Sequence, residues 1–74
     1  METEAIAQLI RQGLPDAEVQ VRGDGRHFEA LVICPAFAGK SPLERQRLVM
    51  ATVRAQIDSG ELHALSIKTL IPAD

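Results

Sequence analysis

The sequence predicts a small α+β domain in the order α-β-β-α-β, with a three-stranded mixed sheet covered by two helices on one side. Three observations carry that expectation. Apolar residues recur at helical spacing near the N-terminus, two strand-like runs flank a Gly-rich turn, and a strongly capped helix leads into a final alternating run. At 74 residues, with no internal repeat or linker, one domain over residues 1–74 is expected. A chain of this length buries only about 60% of its unfolded surface, so its stability is expected to be modest.

Residues 3–13 read as the first helix, with Thr3 as N-cap and Ile6, Leu9 and Ile10 as its apolar stripe. Gly13 suits the left-handed position after a helix, and Leu14-Pro15-Asp16 ends it. Residues 17–22 then alternate, Val19 and Val21 on one face and Glu18, Gln20 and Arg22 on the other, as in a half-buried strand. Gly23-Asp24-Gly25-Arg26 is a turn, and residues 27–34 return as the second strand of an antiparallel hairpin. The far half of that strand is apolar on both faces, which suits a central position.

A loop over residues 35–40 carries Phe37 toward the core. Ser41-Pro42-Leu43-Glu44 is a capping box with proline at the first helical position. The helix it opens buries Leu48, Val49, Thr52, Val53 and Ile57 and ends at Asp58-Ser59-Gly60. Residues 62–70 form the last strand. Leu65, Ile67 and Ile71 point one way; Ala64, Ser66 and Lys68 point the other. By this alternation His63 shares the parity of Leu65 and lies at the end of the core face.

A net charge of −2 offers no general attraction to nucleic acid or anionic lipid. The lone Cys34 excludes an internal disulfide framework and fits a reducing compartment. No run approaches the roughly 20 apolar residues that span a bilayer. Met1-Glu2-Thr3-Glu4 is acidic, unlike the start of a signal peptide, so the expected location is cytoplasmic.

Catalysis finds no footing. Cys34 belongs to no CxxC motif and reads as a small buried side chain, and the acidic residues lie on helix faces or in turns without paired spacing. The chain is therefore expected not to be an enzyme. Nucleic-acid binding is the more serious rival, because Lys40, Arg45, Arg47, Arg54 and Lys68 can form a basic patch around the second helix. Against it, Phe28 and Phe37 are the only aromatics, so the sheet has no base-stacking platform. The element order invites comparison with KH-type RNA modules, but the Gly-x-x-Gly clamp they need occurs nowhere in the chain.

The only two histidines, His27 and His63, both fall at strand starts, where side chains can face outward beyond the core. Neutral imidazole binds zinc, copper and iron, and it replaces thiolate on one iron of Rieske-type clusters. Two imidazoles cannot fill a metal's coordination sphere, but they can supply part of one for a partner to complete. From spacing alone, packed or surface histidines stand beside this as the plainer reading.

The run Phe37-x-Gly39-Lys40-Ser41-x-Leu43-x-Arg45-Gln46-Arg47-Leu48-Val49, followed by Leu62-His63-Ala64-Leu65-Ser66-Ile67-Lys68-Thr69, resembles the BolA family. The short turn Gly23-Asp24-Gly25-Arg26-His27-Phe28 resembles its IbaG-like branch. The resemblance covers almost the whole chain. It implies a KH-related fold without the Gly-x-x-Gly loop, and a monothiol glutaredoxin with a CGFS site as the heterodimer partner. It further implies a [2Fe-2S] cluster shared with that glutaredoxin and glutathione, the histidine matching His63 being one ligand. A second ligand comes from the loop between the first two strands, where His27 is the nearest candidate.

Arg45 and Arg47 match the family's R-x-R motif; contact with the partner, contact with glutathione, and pinning of the C-terminal strand all remain open for them. Lys68 is grouped with them as a partner-binding residue. A DNA-binding regulator is the alternative function, resting on the basic patch named above. A weak homodimer is also left open. Many relatives continue through a Trp and a basic tail beyond Ile71-Pro72-Ala73-Asp74, and no contribution of such a tail is carried over.

Overall fold

The computed structural model describes residues 1–73. Its elements are α1 (Thr3–Gly13), β1 (Glu18–Gly23), β2 (His27–Ile33), a 3-10 turn (Pro35–Phe37), α2 (Pro42–Thr52), α3 (Arg54–Asp58) and β3 (Ala64–Leu70). The sheet order is β1-β2-β3, with β1 antiparallel and β3 parallel to the central β2. The expected α+β class and mixed three-stranded sheet are therefore present, with a third short helix added.

α1 buries Ile6, Ala7 and Ile10 against β1 and α2. Two expectations about its ends are corrected. Glu2 occupies the N-cap position and Thr3 is already helical, with no side-chain cap bond. Gly13 closes the helix without the positive φ of a left-handed residue. Its smallness serves packing instead: a Cβ there would lie 2.5 Å from Thr52 Cγ2 on α2.

The β1–β2 turn is held by Asp24, whose Oδ1 accepts the backbone N–H groups of Arg26 and His27, each at 2.9 Å. Gly25 takes φ +98°, which an L side chain rarely adopts. A Cβ on Gly23 would run into the Phe28 ring.

The capping box forms as expected. Ser41 Oγ accepts the Glu44 N–H at 3.2 Å and Glu44 Oε1 accepts the Ser41 N–H at 2.9 Å. The helix it opens does not run unbroken to residue 57. Thr52 Oγ1 donates to the Val49 carbonyl at 2.6 Å, a back-bond that competes with the helical ladder. Val53, wholly buried, adopts φ −120°, and α3 restarts beyond it. Val49 and Val53 are fully buried as expected, while Leu48 and Ile57 pack half-buried around them.

β3 begins at Ala64 rather than at residue 62. Leu62 is buried and its N–H donates to the Gln56 carbonyl at 3.0 Å, so it anchors the α3–β3 turn. His63 stands outside the strand and is exposed, which corrects its placement at the end of the core face. Strand alternation does not reach a residue whose neighbour is tied into a turn. Ile71, expected to point inward, lies beyond the strand and is 45% exposed.

The core joins Ile6, Ile10, Val32, Cys34, Phe37, Val49, Val53 and Leu62. Cys34 is buried, as its plain reading required. Among the described residues no helix is long and apolar enough to cross a membrane.

Candidate functional site

The parallel register of β2 and β3 sets His27 opposite Ala64, so His63 is the next residue along the neighbouring chain. The backbones of the two histidines therefore lie at the same end of adjacent strands, and both residues are exposed. Their backbones are fixed on either side. His27 donates its N–H to Asp24 Oδ1 and accepts the Asp24 N–H at 3.3 Å. His63 is held between the buried Leu62 and the first ladder residue of β3.

Asp24 is a residue whose part in the site sequence reasoning missed, although an Asp two residues before the end of a Gly-containing turn is a recognisable signal. The N–H groups of His27 and Arg26 hold its carboxyl below the usual carboxylate range. It thus remains an anionic acceptor under the turn that carries His27.

No group of three or more His, Cys, Asp or Glu suited to a metal occurs among the described residues. Each histidine can supply one imidazole nitrogen, and together they number fewer than the four ligands of a tetrahedral site. That set matches the imidazole share of a histidine-ligated [2Fe-2S] centre, whose other iron is held by thiolates. The donor type suits such a centre, whose remaining ligands would be sulfur.

The basic residues do not gather into one patch. Lys68 lies on the sheet face away from the helices, where it borders a shallow depression of about 360 Å³ with Gln20, Arg22, Glu29 and Ser66. Arg45 Nε donates to the Lys40 carbonyl at 3.0 Å, pinning the loop before α2. Contact with β3 is made by Gln46, whose Nε2 donates to the Ile67 carbonyl at 3.4 Å. Arg47 and Lys40 flank Glu44 beside a depression of about 280 Å³. The Ser41 N–H and hydroxyl, then the charges of Lys40 and Arg47, hold the Glu44 carboxyl low, so an anion stands among these cations. Arg54 is exposed on α3.

Fold and site define a class: a small helix-on-mixed-sheet protein with two exposed histidines at one end of adjacent strands. Residues 9–74 match the model of the BolA-like protein family, and the chain belongs to the BolA family. It is 34% identical over 74 residues to the acid stress protein IbaG of Escherichia coli K12, covering all of this chain and 88% of that protein.

A BolA homologue from Coxiella burnetii superposes with a TM-score of 0.87 at 44% identity, over 97% of this chain and 92% of that one. The BolA domain of SufE1 from Arabidopsis thaliana gives a TM-score of 0.80 at 29% identity, over 95% and 91%. Yeast Fra2 gives 0.78 at 28%, over 96% and 80%.

Proposed function

We propose that this protein is a non-enzymatic accessory protein of iron–sulfur assembly and trafficking. It docks on a monothiol CGFS glutaredoxin and ligates a shared [2Fe-2S] cluster through His63, with His27 as the second imidazole. The observation that carries the reading is the register that sets His27 opposite Ala64 and so beside His63. Family membership gives the pair its meaning.

The chain's own groups do little besides hold donors in place. Asp24 fixes the backbone of His27 from below, and Leu62 anchors the turn before His63. The bound cluster supplies one-electron chemistry, and imidazole in place of thiolate raises its potential. Protons compete with metal for imidazole nitrogen, so the shared complex weakens on acidification. Arg47, exposed at the edge of α2, remains available to a partner, whereas Arg45 is engaged with Lys40. The basic residues split between two faces do not favour the DNA-binding alternative.

The test is visible absorption and circular dichroism of the protein mixed with a CGFS glutaredoxin, glutathione, iron and sulfide. The reading expects a cluster spectrum distinct from that of glutaredoxin alone, lost in the His63→Ala variant. A spectrum indifferent to His63 rejects it.

A further inference from the structure

The flank of the sheet opposite β3 is the outer edge of β1. Its backbone groups can be assigned by alternation, since successive residues of an antiparallel pair turn toward and away from the partner. Asp24 N–H bonds the His27 carbonyl at the turn, which fixes the phase of the ladder. Counting from it, Glu18, Gln20 and Arg22 bond inward to β2, while Val19 and Val21 direct N–H and C=O outward. Arg11 confirms that phase, because its Nη2 reaches the Val19 carbonyl from α1 at 3.3 Å.

We propose that this edge is a self-association surface, on which two copies pair β1 antiparallel about Gln20 and join their sheets. The strand's own order, Glu18-Val19-Gln20-Val21-Arg22, is complementary to itself in antiparallel pairing. About a two-fold axis at Gln20, each Glu18 faces the other copy's Arg22. Each Val19 faces Val21, and the two glutamines meet. The Val19–Val21 pairs are the ones with outward backbone groups, so each exchanges both N–H···O bonds. Glu18, Gln20 and Arg22 are all exposed, and neither Glu18 nor Arg22 forms an ion pair among the described residues. A slip of two residues toward the turn would set Glu18 against Asp24, acid on acid.

The helix above this edge repeats the pattern. Glu4, Gln8 and Arg11 are exposed at helical spacing on α1, the helix that packs on β1. The same axis runs two α1 helices antiparallel, bringing the acidic end of one stripe toward the basic end of the other. Pairing displaces Arg11 from the Val19 carbonyl. What is given up is a 3.3 Å bond and an exposed Arg11–Glu4 bridge of 3.2 Å, an interaction of little worth in water. The surface involves neither histidine and leaves the β3 edge free, so it stands apart from the cluster reading.

Sedimentation equilibrium of the full chain at low salt, from micromolar to millimolar concentration, tests this. The mass should climb from the 8.1 kDa monomer toward twice that value. Glu18→Arg and Arg22→Glu each place like charges opposite one another and should weaken association by roughly tenfold or more. An equimolar mixture of the two variants restores opposite charges across the axis and should associate at least as tightly as the unaltered protein. In that protein, amide exchange at Val19 and Val21 should slow as concentration rises. Constant monomer mass, a dimer indifferent to either variant, or a mixture no tighter than its components would overturn the proposal.

Discussion

Two exposed histidines have value here because their neighbours are not free. His63 follows a buried leucine and precedes the first rung of β3; His27 is clasped by Asp24. Replacing His63 by Ala should therefore leave thermal unfolding nearly unchanged, within about 0.5 kcal/mol, since exposed sites away from packing tolerate substitution. Leu62→Ala, one residue earlier, should cost about 2–5 kcal/mol in urea unfolding because it opens a cavity under the α3–β3 turn. Comparable losses at the two positions would mean that His63 is a packing residue. That His63 falls near a strand start was legible from the sequence; that it stands outside the strand was not, because this follows from the bond of Leu62 to Gln56 in the adjoining helix α3.

At the scale of elements, the contact of α1 with α2 turns on Gly13 and Thr52. Alanine normally improves a helix by roughly 0.5–1 kcal/mol over glycine. Here Gly13→Ala should instead destabilise by about 1–3 kcal/mol, as overpacking does, because its Cβ meets the Thr52 methyl. Thr52→Ser removes that methyl while keeping the hydroxyl bond to Val49, and in its background the penalty should largely disappear. A double-mutant cycle in denaturant checks this; strictly additive effects would show that the two helices do not meet there.

The capping box of α2 makes a second prediction. Ser41→Ala should cost about 1 kcal/mol. Glu44 is held below its ordinary pKa in the folded chain. Its contribution is therefore complete above the unfolded value and is lost as pH falls through the lower folded value. The stability gap between the unaltered protein and Glu44→Gln should shrink from neutral to acid pH; a gap that widens would contradict the assigned bonds. This box was legible because its signal is local. The break at Val53 was not, since it depends on a threonine hydroxyl choosing a carbonyl and on what Val53 packs against.

For the whole molecule, periodicity in the sequence distinguished helix from strand, and the apolar second strand marked the sheet's centre. It could not show that Lys68 and the α2 arginines end on opposite sides of that sheet, since a charge list carries no layer. Nor could it bring His27 beside His63, because thirty-six positions apart they meet only through the parallel register of β2 and β3. That meeting is what turns two isolated side chains into a candidate shared site.

The most direct test adds the protein to cluster-loaded CGFS glutaredoxin with glutathione and records visible circular dichroism across size-exclusion elution. The account predicts a one-to-one heterodimer with an altered cluster signal, abolished by His63→Ala and weakened by His27→Ala. A heterodimer whose cluster signal survives both substitutions would show that neither histidine ligates and would contradict the central claim.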